Sequence, residues 1–360
     1  MSAEPAAPAR EVAEGAEGTE LAPLLDGAMA RVRAPDVVVA VSRAGRRTYA
    51  AGGTAPPPTV PREELSFALG SLSKTFTVLL LADLVHTGAL GLDDPLAAHL
   101  PGLPPRSGNA RRITLRHLAT HTSGLPRVPR DLVPGALLHP YANGYAGYSR
   151  HRLLAALATT RVRHAPGTRW HYSNFGLALL GPVLENATGT PFPELLDRRV
   201  LRPLALTSTT LGTDPGARRE RAVGRRGDGR TPLPPTDMAA FAAAGGLLST
   251  PGDLLGYAEA HLDPAGGEPA QALRDVQVPQ LRRGVPHRRE THTLTWFQHA
   301  AAGGPVLFHA GATFGQQCFL GFHPATRTAV AAFATRHDRT CAVVSAGYTL
   351  LQDLARRPAQ

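Results

Sequence analysis

The chain has 360 residues, of which 43% are hydrophobic and only 18% charged, with a formal net charge of +10. This excludes a disordered polyelectrolyte and allows two domains, or one domain with a large insertion. The arginines run along the whole sequence, clustering only at 218–230 and 282–289 with no aromatic residues interleaved in the first cluster; the charge reads as a solvated surface, with no nucleic-acid partner expected.

The first residues contain no basic segment followed by an apolar core, and no apolar run of about 18 residues occurs anywhere. No secretory signal or membrane partner is expected, and the expected address is cytoplasmic. Cys318 and Cys341 are too few for a disulfide framework and read as free, buried thiols.

In chain order, residues 1–19 are rich in Ala, Glu, Gly and Pro and read as a disordered leader. Leu21, Leu24, Leu25, Ala28 and Met29 then follow helical spacing. The β-branched stretch from Asp36 to Ser42 and the stretch 47–51 form an expected hairpin. A short strand at 65–69 leads into a helix that opens at Ser71 and ends near Gly88. That helix is apolar nearly all round, through Phe76, Val78 to Leu81, Leu84 and Val85, so it is expected at the centre of the molecule. Helices follow at 113–120, 151–160, 175–187 and 193–200, then a loop or low-order excursion at 213–235. Strand patterns return at 306–309, 316–322 and 328–334, before a final helix at 340–355. Strands at both ends with helices between them predict an α+β fold. Its sheet domain is expected from 20–92 together with 236–360, and a mostly helical domain from 93–235.

The chemistry centres on Ser71-Leu-Ser-Lys74. Residues three apart share a helix face, so a hydroxyl and an amine stand side by side at the positive end of the helix dipole. Lys74 is the only lysine in the sequence; the other 37 basic residues are arginine. Lysine can lose its proton on burial, whereas guanidinium cannot, so Lys74 reads as the proton partner of a nucleophilic Ser71. The alternative is a capping serine beside a surface lysine. His121 and the other histidines lack metal-ligand spacing, and neither a metal nor a cofactor is expected.

The segment Phe67-x-x-Gly-Ser71-x-Ser73-Lys74-Thr-Phe-Thr resembles the active-site segment of the serine β-lactamase and D-alanyl-D-alanine carboxypeptidase superfamily, closest to its class C and family VIII esterase branch. Gly88 to Pro95, Ile113 to Pro126 with its His121-Thr-Ser-Gly, Tyr172-Ser-Asn174, Arg202-Pro-Leu, Ala244-Gly-Gly-Leu and His309-Ala-Gly311 continue the resemblance in order, from about Leu21 to the C-terminus. It implies a β-lactamase/transpeptidase-like fold, an antiparallel sheet flanked by helices with an all-helical insertion.

The resemblance also implies roles. Ser71 is acylated, Lys74 and Tyr172 handle protons, and the N–H groups of Ser71 and Ala312 form the oxyanion hole. Asn174, His309, Ala310 and Gly311 contact substrate, and Asn174 also supports Lys74. Read as residues alone, Tyr172 could instead be a buried aromatic and Asn174 a helix cap, while Trp296 fits a pocket lining or a core equally well. Lactamases usually carry lysine where His309 stands, and a hydroxyl residue where Ala310 stands. The expected substrates are therefore small esters or amides without an obligatory carboxylate, with lactams less favoured. The expected activity is a serine hydrolase working through an acyl-Ser71 intermediate. The alternatives are an acyltransferase with the same first half-reaction, a D-Ala-D-Ala carboxypeptidase or β-lactamase, and a non-catalytic ligand-binding relative.

Overall fold

The run of valines after Asp36 forms a strand with every residue buried, because both of its faces are covered. The structure, a computed structural model, describes residues 9–11, 16–100, 107–133, 142–212, 219–264, 267–284, 290–338 and 340–357. In chain order the strands are β1 (Ala9–Glu11), β2 (Val37–Arg43), β3 (Arg46–Gly52), β4 (Phe67–Ala68), β5 (Thr210–Leu211), β6 (Leu247–Ser249), β7 (Leu281–Arg283), β8 (Glu290–His292), β9 (Phe297–Ala301), β10 (Gly304–Ala312), β11 (Gln317–His323) and β12 (Thr328–Ala334). Among the described residues they form a nine-stranded antiparallel sheet, ordered β1-β3-β2-β12-β11-β10-β9-β8-β7, and a small sheet ordered β4-β6-β5. The hairpin near the N-terminus and the strands near the C-terminus are joined by the β2–β12 pairing, which sets Val38 opposite Phe333.

One face of the large sheet packs on the helices Ala16–Met29 and Val343–Ala355, through Leu21, Leu25, Val39, Val330, Leu350 and Leu354. The other face meets the helix Pro251–Leu262 and, beyond it, the helix Ser73–His86 with the helical elements that follow. Ser73–His86 is buried over its first twelve residues, as its nearly uniform apolar character requires. Its one carboxylate, Asp83, pairs with Arg199 at 2.8 Å. No described helix is long and apolar enough to cross a membrane.

The structure departs from the sequence reading in several places. Within the leader expected to be disordered, Ala9–Glu11 pairs with β3 as the outermost strand, and the first helix begins at Ala16; the rest of that leader lies outside the described residues. The excursion read at 213–235 is tied down over its described part. Ser66 N–H donates to Glu220 O and Ala222 N–H to Ser66 O, while Arg225 N–H donates to Gly315 O. Strands β7 to β9 were not expected, because β7 and β8 are three residues each of mostly Arg, Glu, Thr and His, and the five residues of β9 carry no clear alternation to detect.

Trp296, offered as a pocket-lining residue, belongs to the core. It is 0% exposed and stands among Tyr257, His261 and Phe322, with Tyr257 stacked in turn on Phe76 of the central helix at 3.9 Å. Its position on the tight turn between β8 and β9, where Thr293 Oγ1 accepts the backbone N–H of Trp296 at 2.9 Å, swings the ring inward. Trp296→Ala should therefore cost about 3–5 kcal/mol of stability, the usual range for a deleted core aromatic. Chemical denaturation checks this, with acylation per folded molecule expected to change far less than stability.

Candidate active site

The turn before the central helix is shaped by glycine. Gly70 has φ +48°, and a Cβ there would fall 2.3 Å from Ala312 O and 2.9 Å from Ala312 N. A Cβ on Gly311 would fall 1.9 Å from Leu69 O. These two close approaches seat the end of β10 directly against the Gly70–Leu72 turn, which carries Ser71.

The direction of Ala312's backbone follows from the β10–β11 register. Thr313 N–H donates to Gln316 O at 2.9 Å, and Gly311 lies opposite Cys318. In an antiparallel pair the hydrogen-bonded positions alternate. Thr313, Gly311 and His309 therefore turn their N–H groups toward β11, and Ala312 and Ala310 turn theirs away. Strand β9 pairs with β10 only over residues 304–308, so the outward backbone edge at 310 and 312 is not taken by a neighbouring strand. Ala312 thus presents its N–H on the side where Gly70 and Ser71 lie.

Lys74 is 1% exposed. Its Nζ lies 3.1 Å from Ser71 Oγ and donates to Ala244 O at 2.6 Å. The helix holds the segment carrying Ala244 through two further bonds. Thr77 Oγ1 donates to Ala243 O at 2.7 Å, and Ser73 Oγ accepts the Leu247 N–H at 3.0 Å. Burial lowers the Lys74 pKa below the ordinary lysine value; the Tyr172 phenol opposes this, and the Arg127 guanidinium reinforces it. Among the described residues no carboxylate contributes.

Tyr172 sits with its ring centroid 5.1 Å from Lys74 Nζ. It is carried by an irregular segment zipped to the loop 121–127. His171 N–H donates to His121 O at 2.8 Å, Ser173 N–H to His121 Nδ1 at 3.2 Å, Ser173 Oγ to Pro126 O at 2.7 Å, and Phe175 N–H to Arg127 O at 3.1 Å. His121 adopts φ +58°, unusual for a side chain of this size. That conformation puts its ring 4.4 Å from the Tyr172 ring. Because Nδ1 accepts from Ser173, the proton of the neutral ring is on Nε2. Burial, with the Lys74 charge second, lowers the His121 pKa well below its usual value.

Asn174 is not the helix cap; Ser173 is, accepting the Gly176 N–H. Asn174 Nδ2 donates to the Tyr145 hydroxyl at 3.1 Å, and its Oδ1 is buried without a partner, an open acceptor. The expected support of Lys74 by Asn174 is absent, since the Lys74 amine is engaged by Ser71 and Ala244.

His309 and Gly311 share the face of β10 that meets Leu69. Burial, and then the Lys74 charge, push the His309 pKa down to about 3, so the ring is neutral. Its Nδ1 bonds Ala310 O at 2.8 Å. Strand alternation sends the Ala310 side chain to the opposite face, so any contact it makes with substrate comes from its backbone.

The structure thus brings together Ser71, Lys74, Tyr172, His309, Gly311 and the Ala312 N–H, places Asn174 on the segment beside Tyr172, and leaves Trp296 apart. Sequence reasoning did not single out the Ala244 carbonyl, the platform role of His121, or Arg127, whose guanidinium lies 5.3 Å from the Tyr172 ring centroid. The His121-Thr-Ser-Gly motif was a usable signal for the second of these. Among the described residues no group of three or more His, Cys, Asp or Glu is arranged to hold a metal.

Comparison with known proteins gives the family and the fold. A family model described as Beta-lactamase matches residues 21–354. The D-alanyl-D-alanine-carboxypeptidase/endopeptidase AmpH of Escherichia coli (strain K12) is 33% identical over 203 residues, 56% of this chain and 50% of that protein. Esterase EstB of Burkholderia gladioli is 35% identical over 153 residues, 40% of this chain and 38% of that protein. The chain therefore spans half or less of the length of these two relatives. A class C beta lactamase from Rhodobacter sphaeroides has the same fold, with a TM-score of 0.75 and 24% identity over 92% of this chain and 98% of that one. The chain belongs to the beta-lactamase family of serine hydrolases and has its β-lactamase/transpeptidase-like α+β fold.

Proposed function

We propose that this protein hydrolyses small esters or amides through an acyl-Ser71 intermediate. The observation that carries the reading is the buried Lys74 amine, 3.1 Å from Ser71 Oγ with no carboxylate among the groups that set its charge. Burial shifts this amine toward its neutral form, in which the nitrogen bonded to Ala244 O keeps a lone pair for the serine proton.

As Ser71 Oγ bonds the substrate carbonyl carbon, its proton passes to Lys74 Nζ. The negative charge moves to the carbonyl oxygen, where the N–H groups of Ser71 and Ala312 receive it. The carbon–leaving-group bond then breaks, and the leaving oxygen or nitrogen takes a proton from the Lys74–Tyr172 pair. Water attacks the acyl-enzyme by the reverse proton path and releases the acid. Asn174 Oδ1, a buried acceptor without a partner, would suit an N–H that reaches it from the substrate. The esterase name of one relative and the carboxypeptidase name of another support an ester or amide carbonyl as the target. A neutral His309 supplies no charge where lactamases carry lysine, which supports substrates that do not depend on a carboxylate at that position.

Intact mass after incubation with a fluorophosphonate, a penicillin and 4-nitrophenyl esters tests this reading. Wild type should gain one fluorophosphonate adduct and turn over the esters, and Ser71→Ala should do neither. Lys74→Arg should lower acylation by about 10³-fold, within the range for a removed general base, without unfolding the chain. No adduct on Ser71 with any probe would overturn the reading. Product that increases with added amine or alcohol would instead identify an acyltransferase.

Burial of Lys74 has a stability signature of definite sign. Its folded pKa lies below the unfolded one, so between the two values the unfolded chain holds a proton that the folded chain lacks, and stability rises with pH across that window. The Tm difference between Lys74→Met and wild type should therefore shift in favour of the variant as pH falls from about 10 toward neutrality. A difference that is flat across this range would contradict a depressed Lys74.

A further inference from the structure

Arg127 follows Pro126 on the loop zipped to the Tyr172 segment, and its own carbonyl accepts the Phe175 N–H at 3.1 Å. The bonds from Ser173 Oγ to Pro126 O and from His171 Nδ1 to Leu125 O fix the two residues before it. The backbone is thus held in register while the side chain is exposed. The guanidinium carbon stands 5.3 Å from the Tyr172 ring centroid, beside the ring that Lys74 Nζ approaches to 5.1 Å. Among the described residues no carboxylate pairs with it, in contrast to Arg116 with Asp93, Arg150 with Glu185 and Arg199 with Asp83.

The surroundings limit what this cation can hold. Three histidines near the site, His121, His292 and His309, are held neutral by burial, and Lys74 is buried and committed to Ser71 and Ala244. One planar guanidinium with neutral neighbours matches a planar monoanion, which it can grip with two parallel N–H bonds, better than a phosphate dianion that needs further positive charge. We propose that Arg127 is the anion anchor of this site, selecting esters or amides that bear a carboxylate near the scissile carbonyl. This rests on the acyl-Ser71 reading and adds its substrate class: the charge that His309 does not provide from β10 comes from the opposite wall, on the loop after His121-Thr-Ser-Gly.

The test compares kcat/KM for 4-nitrophenyl hemiglutarate and the neutral 4-nitrophenyl pentanoate, which differ in the terminal carboxylate. Wild type should favour the hemiglutarate by about tenfold, a difference of about 1.4 kcal/mol, and the preference should shrink as salt is raised. Arg127→Gln should bring the ratio to near one, Arg127→Glu should invert it, and Arg127→Lys should keep part of it. A wild-type ratio of one or less, or a ratio unchanged in Arg127→Gln, would overturn the proposal. A second measurement separates the anchor from the chemistry: glutarate should raise the Tm of Ser71→Ala protein, and the rise should vanish in Ser71→Ala/Arg127→Gln. Glutarate binding that depends on Arg127 in a protein that turns over neither ester would support the anchor and refute the acyl-enzyme reading. Glutarate stabilisation equal with and without Arg127 would refute the anchor.

Discussion

The structure depends on one amine placed where water cannot reach it. Lys74 Nζ lies between Ser71 Oγ and the Ala244 carbonyl at the start of a helix whose first twelve residues are all buried. An ammonium in that position would be poorly solvated, so the same burial that builds the core shifts the lysine toward its neutral, proton-accepting form. The cost is borne by the packing around it. Phe76 stacks on Tyr257, which leads to Trp296 and Phe322, and the hydroxyls of Ser73 and Thr77 tie the helix to the 243–247 segment.

Everything else at the site is aimed at that pair by backbone instead of by side-chain contacts. Gly70 and Gly311 allow the end of β10 to approach the serine turn more closely than any Cβ would permit, which seats Ala312 against Gly70, the neighbour of Ser71. On the other side, two irregular loops are joined by hydrogen bonds through His121, Pro126 and Arg127, and the strained backbone of His121 persists because those bonds over-determine it. Tyr172 is therefore presented by a rigid platform, as a proton-transferring group requires. Burial holds His121 and His309 neutral and shifts Lys74 toward its neutral form, and the Arg127 guanidinium stands at the exposed rim.

Much of this was legible in the sequence for reasons that can be named. The Ser71–Lys74 pair could be read because a three-residue spacing on a helix is a geometric statement, and because a chain with 37 arginines keeps a single lysine there. The central helix and strands β2, β10, β11 and β12 could be read because complete burial demands continuous apolar runs. Trp296 could not be assigned, since an aromatic at a strand end has the same pattern whether it lines a cleft or fills a core. The side-chain direction of Ala310 could not be read, because it depends on a register that only the β11 pairing supplies. Arg127 was hidden among its many equivalents; nothing local to it says that its neighbours lack carboxylates, which is a property of the assembled loops. The short edge strands β7 to β9 carry no periodicity, and their existence is a consequence of the sheet already formed beside them.

The uniqueness of Lys74 allows a direct test of the central claim. Protein grown with isotope-labelled lysine carries one labelled side-chain amine, so its nitrogen resonance reports Lys74 alone and can be followed through a pH titration in the resting enzyme. The account predicts a midpoint clearly below the ordinary lysine value of about 10.4, moving upward when a substitution opens the site to water. A midpoint at or above the ordinary value would mean that Lys74 is an ammonium throughout the working range, and would contradict its role as the acceptor of the Ser71 proton.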